Sequence, residues 1–117
     1  MNATPASEFL VTREAGFYCG EDLEQGKSSE GREITSLRDW VVVATNHEEA
    51  IHLAGGPTLL PGEGKHEVRE EDDCYVCWEA FTLKELAERE GDTPTARMIF
   101  NKAKTNPGRE ILESDHT

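Results

Sequence analysis

The chain has 117 residues, with 24 acidic side chains against 12 basic ones and a formal charge of −12. Its 36% hydrophobic and 7% aromatic content supplies one modest core, in a length that suits one domain over residues 1–117. The composition argues against a transmembrane protein, a coiled coil and an array of domains. The longest strongly apolar run, residues 40–44, falls far short of the roughly 20 residues that span a bilayer.

Residues 1–7 read as a loose start. Residues 8–12 and 16–19 are short apolar runs separated by Glu14, Ala15 and Gly16, which predicts a hairpin or two edge strands. Residues 21–31 are rich in Gly, Ser and charge, with Leu23 the one strong apolar residue, and read as an exposed loop. Residues 32–37 form a plausible strand, and 38–46 the clearest one. Its three consecutive valines are stiff at χ1 and leave the run apolar on both faces. Asn46 is placed to cap a short helix over 47–54, with Glu48 and Glu49 in the first turn and Gly55 closing it. The turn-rich stretch 55–64 is expected to be pinned to the core by Leu59 and Leu60.

Residues 65–81 predict an extended element in two halves around the acidic run 70–73. Thr82 and Glu85 have capping-box spacing, and a helix over 83–90 follows, with Leu83, Leu86 and Ala87 on one face. Gly91 ends it. Asp92 or Thr93 caps the next helix, with Pro94 in its first turn. Ala96, Ile99, Phe100 and Ala103 recur at helical spacing, and Asn106, Pro107 and Gly108 stop the helix before a loose polar tail, 109–117. The sum is an α+β domain. Four or five mostly antiparallel strands carry one short helix, and a helical pair stands at the C-terminus.

The three cysteines, Cys19, Cys74 and Cys77, are an odd set, and no basic-then-apolar leader opens the sequence. Reduced thiols and a cytoplasmic location are therefore expected. Cys74 and Cys77 have C-x2-C spacing, but a structural zinc site usually supplies a second close pair. Residues three apart on a strand also face opposite ways. A small zinc-binding module using these two thiols is an alternative reading. His47 and His52 miss the H-E-x-x-H spacing by one residue, which puts them about 140° apart on a helix. The stretch 62–65 resembles a phosphate loop, but that motif needs Gly at 59 and Ser or Thr at 66, where this chain has Leu59 and His66. No nucleophile–base constellation stands out, so no catalytic residue, metal ligand or cofactor is assigned.

Residues 83–104 resemble a helix-turn-helix, with Leu86 and Ala87, a turn at Gly91, and a second helix carrying Arg97, Lys102 and Lys104. That resemblance implies a DNA-binding regulator. The chain departs from the pattern at Glu90, Asp92 and Arg97, where apolar residues belong, and its first helix is acidic.

The remaining signal is acidity. A charge this negative disfavours direct contact with nucleic acid or anionic lipid, because phosphate binding draws on Lys and Arg displacing counterions. It favours a basic partner and speeds encounter with one. Residues 63–92 hold eleven acids and four bases, net −7. Glu67, Glu70, Glu71, Asp72 and Asp73 crowd together, and Glu79 follows. Alternate residues on one strand face lie roughly 6.6 Å apart, the order of the phosphate spacing along a DNA strand. The expected function is a non-enzymatic protein-binding module. These six carboxylates would occupy the basic surface of a nucleic-acid-binding enzyme or complex. A solvated edge strand kept from aggregating by its charges accounts for the same residues. In size and acidity the chain resembles the inhibitors of host defence carried by phages and mobile elements, anti-CRISPR proteins among them, and that resemblance implies an inhibitor.

Overall fold

A computed structural model describes residues 5–18, 32–69 and 74–111. Residues 70–73, the stretch 21–31 that the sequence reads as a loop, and Cys19 lie outside the described residues. The strands are β1 (Ser7–Tyr18), β2 (Arg32–Ala44), β3 (Lys65–Arg69), β4 (Cys74–Phe81) and β5 (Arg109–Glu110). The helices are α1 (His47–Leu53), α2 (Leu83–Glu90) and α3 (Thr93–Thr105). The strands form one antiparallel sheet in the order β3-β4-β1-β2-β5, an α+β architecture as the sequence predicts.

Strand alternation sorts the core into two layers. Phe9 and Val11 of β1 join Ala44, Ala80 and the α1 residues Ala50 and Ile51 on one face, with Trp40, Val42 and Trp78 packed around them. Leu10, one residue out of phase, joins Phe81 and the helical residues Leu86, Ala96, Phe100 and Ala103 on the other. Helices therefore cover both faces of the central strands, which is why residues 9–11 and 40–42 are apolar without alternation, whereas Val43, near the end of β2, is 60% exposed.

The helix ends follow their sequence signals. The Asn46 side chain accepts the Glu49 N–H at 2.7 Å, and the Thr82–Glu85 capping box is complete. The Asp92 side chain accepts the Thr95 N–H at 2.6 Å. Gly91 takes φ +94°, a left-handed turn that a β-carbon disfavours, and this lets α3 fold back beside α2. Their apolar faces share the sheet as one hairpin.

Three expectations change. Glu14, Ala15 and Gly16 do not break the first strand, and β1 runs unbroken over 12 residues. Those residues pair on both sides, with Cys77, Val76 and Tyr75 of β4 and with Leu37, Ser36 and Ile34 of β2. The irregularity is a bulge on β2 that leaves Thr35 as the extra residue. Gly16 lies opposite Tyr75 in the ladder. Leu59 packs on the core as expected, but Leu60 is 73% exposed, so one of the two leucines suffices to pin the connection. Finally, Arg109 and Glu110, expected in the tail, pair with β2 as β5. The Ile111 N–H also donates to the Leu37 carbonyl at 2.8 Å.

Candidate functional site

The sheet face beneath α2 and α3 carries the acidic residues, and strand register sets their neighbours. One row across the strands runs Lys65, Glu79, Thr12, Asp39 and Arg109. The next runs Glu67, Cys77, Glu14 and Leu37. Adjacent strands lie about 4.8 Å apart, and alternate residues along one strand about 6.6 Å apart. Glu67, Glu79 and Glu14 thus surround Cys77 as a patch over three strands, rather than a line along one. Glu67 is exposed, whereas Glu14 and Glu79 are half-buried.

The thiol reports this surrounding charge. Burial first, and then the fields of Glu67, Glu79 and Glu14, push Cys77 from its ordinary 9.0 up to about 11, against the opposing pull of Lys65. A thiol so placed stays protonated near neutrality and is a poor nucleophile and metal ligand. Cys74, three residues earlier on the same regular strand, belongs to the opposite face. Among the described residues no three His, Cys, Asp or Glu side chains group as they would to hold a metal ion.

Two polar contacts brace the patch. The Tyr75 hydroxyl, on a ring 1% exposed, donates to Glu14 Oε2 at 2.7 Å. Asp39, fully buried on β2, accepts Arg109 Nε at Oδ1 and Arg109 Nη2 at Oδ2, both at 2.9 Å. This bidentate pair ties β5 to the sheet. At the end of the sheet, His47 Nε2 lies 2.7 Å from Glu85 Oε1. Burial raises Glu85, but the Thr82 N–H first and then the His47 ring outweigh it and hold the carboxyl below its ordinary value. His52 instead meets Thr58 Oγ1 at 3.1 Å, so the two histidines serve separate partners, as their spacing implies.

No protein-family model, curated protein or solved structure matches this chain. The geometry alone therefore speaks for the site.

Of the six acidic residues singled out from sequence, Glu67 and Glu79 lie on the same sheet face. The other four, Glu70, Glu71, Asp72 and Asp73, fall outside the described residues in the β3–β4 connection. The sequence reading misses Glu14 because the triplet Glu14, Ala15 and Gly16 reads as a break between two apolar runs. The alternation Leu10, Thr12, Glu14 against Phe9, Val11, Arg13 was the available signal. It also missed the pairing of Asp39, although a carboxylate inside an apolar strand requires a partner.

The basic residues of the helix-turn-helix resemblance, Arg97, Lys102 and Lys104, are all exposed on α3. Arg97 and Lys102 line a surface groove of about 660 Å³ with Met98 and Asn101, while Lys104 pairs with Glu8 at 2.6 Å. Among the described residues no helix is long and apolar enough to cross a membrane.

Proposed function

We propose that this protein is a non-enzymatic, acidic binding module that docks on the basic surface of a nucleic-acid-handling enzyme or complex and blocks it, as the small acidic inhibitors of phages and mobile elements do. The observation that carries the reading is the gathering of Glu67, Glu79 and Glu14 on one sheet face, reached from three adjacent strands. In sequence, Glu70, Glu71, Asp72 and Asp73 follow β3 directly. Carboxylates fixed on a sheet lose little freedom on binding and suit bidentate pairing with Arg. The neighbouring helix α2 keeps Glu85, Glu88 and Glu90 exposed, which extends the negative field that steers a basic partner.

The test is a tagged capture from nuclease-treated lysate, with and without excess duplex DNA. A nucleic-acid enzyme that is retained and then released by DNA supports the reading. With the partner purified, reversing Glu67, Glu70, Glu71, Asp72 and Asp73 to Lys weakens binding and flattens its salt dependence. Unchanged affinity refutes the proposal.

A further inference from the structure

Between the sheet and the helical pair lies a cavity of about 210 Å³. Its inner end is apolar and buried, formed by Leu10, Phe81 and Leu86. Leu37, Ile99 and Ile111 form half-buried walls, and Arg89 and Glu90, both exposed, mark the mouth at the end of α2. Thr12 and Cys77 contribute small polar groups from the strands.

The charge of the lining decides what it can hold. Asp39, Glu14, Glu79 and Glu90 contribute four negative charges, and Arg89 and Arg109 two positive ones, net −2. Arg109 is already spent on Asp39 in a bidentate pair. Arg89 lies over the Phe81 ring, 5.1 Å from its centre. Glu79 and Glu90 have no hydrogen-bond or ion-pair partner among the described residues. An anion is disfavoured here by the surplus of carboxylates. A purely apolar guest would desolvate those carboxylates without compensation. A guest with an alkyl body and a cationic head satisfies both the walls and the carboxylates. At about 30 Å³ per water, the space equals roughly seven waters, the size of one long side chain.

We infer that this cavity is a receptor for an alkylguanidinium or alkylammonium group, supplied by an Arg or Lys side chain of the bound partner. This rests on the acidic-face reading and gives it an anchor point, since a side chain held in a desolvated pocket dominates an interface. The stem lies against Leu37, Ile99 and Ile111, and the head pairs with Glu79 near the protonated Cys77 thiol.

The experiment titrates the full chain with butylguanidinium, with its uncharged isostere N-butylurea, and with the blocked peptide acetyl-Gly-Arg-Gly-amide. Binding is read from Ile and Leu methyl shifts and from alkylation of Cys77, located by peptide mapping. Butylguanidinium is expected to saturate, to shift Ile99, Ile111 and Leu86, and to slow Cys77 alkylation, with N-butylurea weaker by about tenfold or more. Glu79→Gln removes the charge at constant size and Leu37→Phe fills the space at constant charge. Each weakens binding to a similar degree while the spectrum of the unliganded fold is retained. The peptide is expected to shift the same methyls, and a cavity that takes the free cation but excludes the peptide overturns the side-chain assignment. Equal binding of N-butylurea, or shifts that rise without saturation across the acidic surface, overturns the inference. The two readings fail separately. Partner capture that survives Leu37→Phe removes the cavity from the contact. Capture that survives reversal of the acidic residues removes the face.

Discussion

Removing Arg109 is the sharpest test of how this fold is held, because Asp39 is fully buried and both its oxygens accept from that one guanidinium. Arg109→Ala leaves a carboxylate inside the sheet without compensation, and breaking a buried ion pair from one side costs about 3–5 kcal/mol. The Arg109 side chain is 20% exposed, so water partly relieves the loss, and the lower end, about 3 kcal/mol, is expected. Against a stability of roughly 5–15 kcal/mol this is a large fraction. It lowers the melting temperature by about 12 °C at roughly 4 °C per kcal/mol for a chain of this length. In urea, with a slope of about 1.5 kcal/mol per molar, the midpoint falls by about 2 M. Local unzipping accompanies the global effect, since β5 meets β2 through two residue pairs. The Ile111 amide, which donates to Leu37, should exchange faster. The paired change Asp39→Leu with Arg109→Met removes both charges and returns stability to within about 1 kcal/mol of the parent. An Arg109→Ala loss below about 1 kcal/mol, or a double variant as unstable as the sum of its parts, would refute the argument that burial makes this pair interdependent.

Gly56→Ala places a β-carbon 2.6 Å from Ile51 Cγ2 and 2.9 Å from both the Ile51 carbonyl oxygen and Trp78 Cδ2. It should cost about 2 kcal/mol by overpacking, read by urea unfolding; a neutral result shows that the 54–64 connection shifts freely. For Cys77, a rise from 9.0 to about 11 makes its alkylation at pH 8 roughly 100-fold slower in the native than in the urea-unfolded chain on ionisation alone. Glu67→Gln speeds the native reaction, and equal native and unfolded rates would contradict the arrangement. The protonated thiol contributes stability that is present below about pH 9 and lost as pH rises through about 11. Glu85 has the opposite sign. Its lowered carboxyl contributes stability above its unfolded value that is lost as pH falls through the folded one, so Glu85→Gln should flatten the acid limb of a stability–pH curve. Thr82→Ala, which deletes the cap while leaving the carboxylate, costs about 1 kcal/mol at neutral pH.

The local elements of this protein were legible in its sequence because they obey short-range rules. Asn46, Thr82 and Asp92 cap their helices through bonds to the third residue on. The stripe Ala96, Ile99, Phe100, Ala103 needs only the helical repeat to be read, and residues 40–44 declare a central strand by being apolar on both faces. Strand order and register had no such signature. Glu14 looked like part of a turn because Gly16 follows it, and only the pairing of β1 with both β4 and β2 showed a continuous strand that sets Glu14 beside Cys77. Arg109 looked like tail, since its partner Asp39 lies 70 residues away. The acidity itself was a property of composition, but its arrangement was not. Glu67 and Glu79 lie on the same face as Glu14 because antiparallel pairing places three separate segments side by side, and a one-residue slip of β3 would turn Glu67 to the other face. Tertiary structure decided that outcome, because residues distant in sequence meet only where the buried faces of the whole sheet can be satisfied at once.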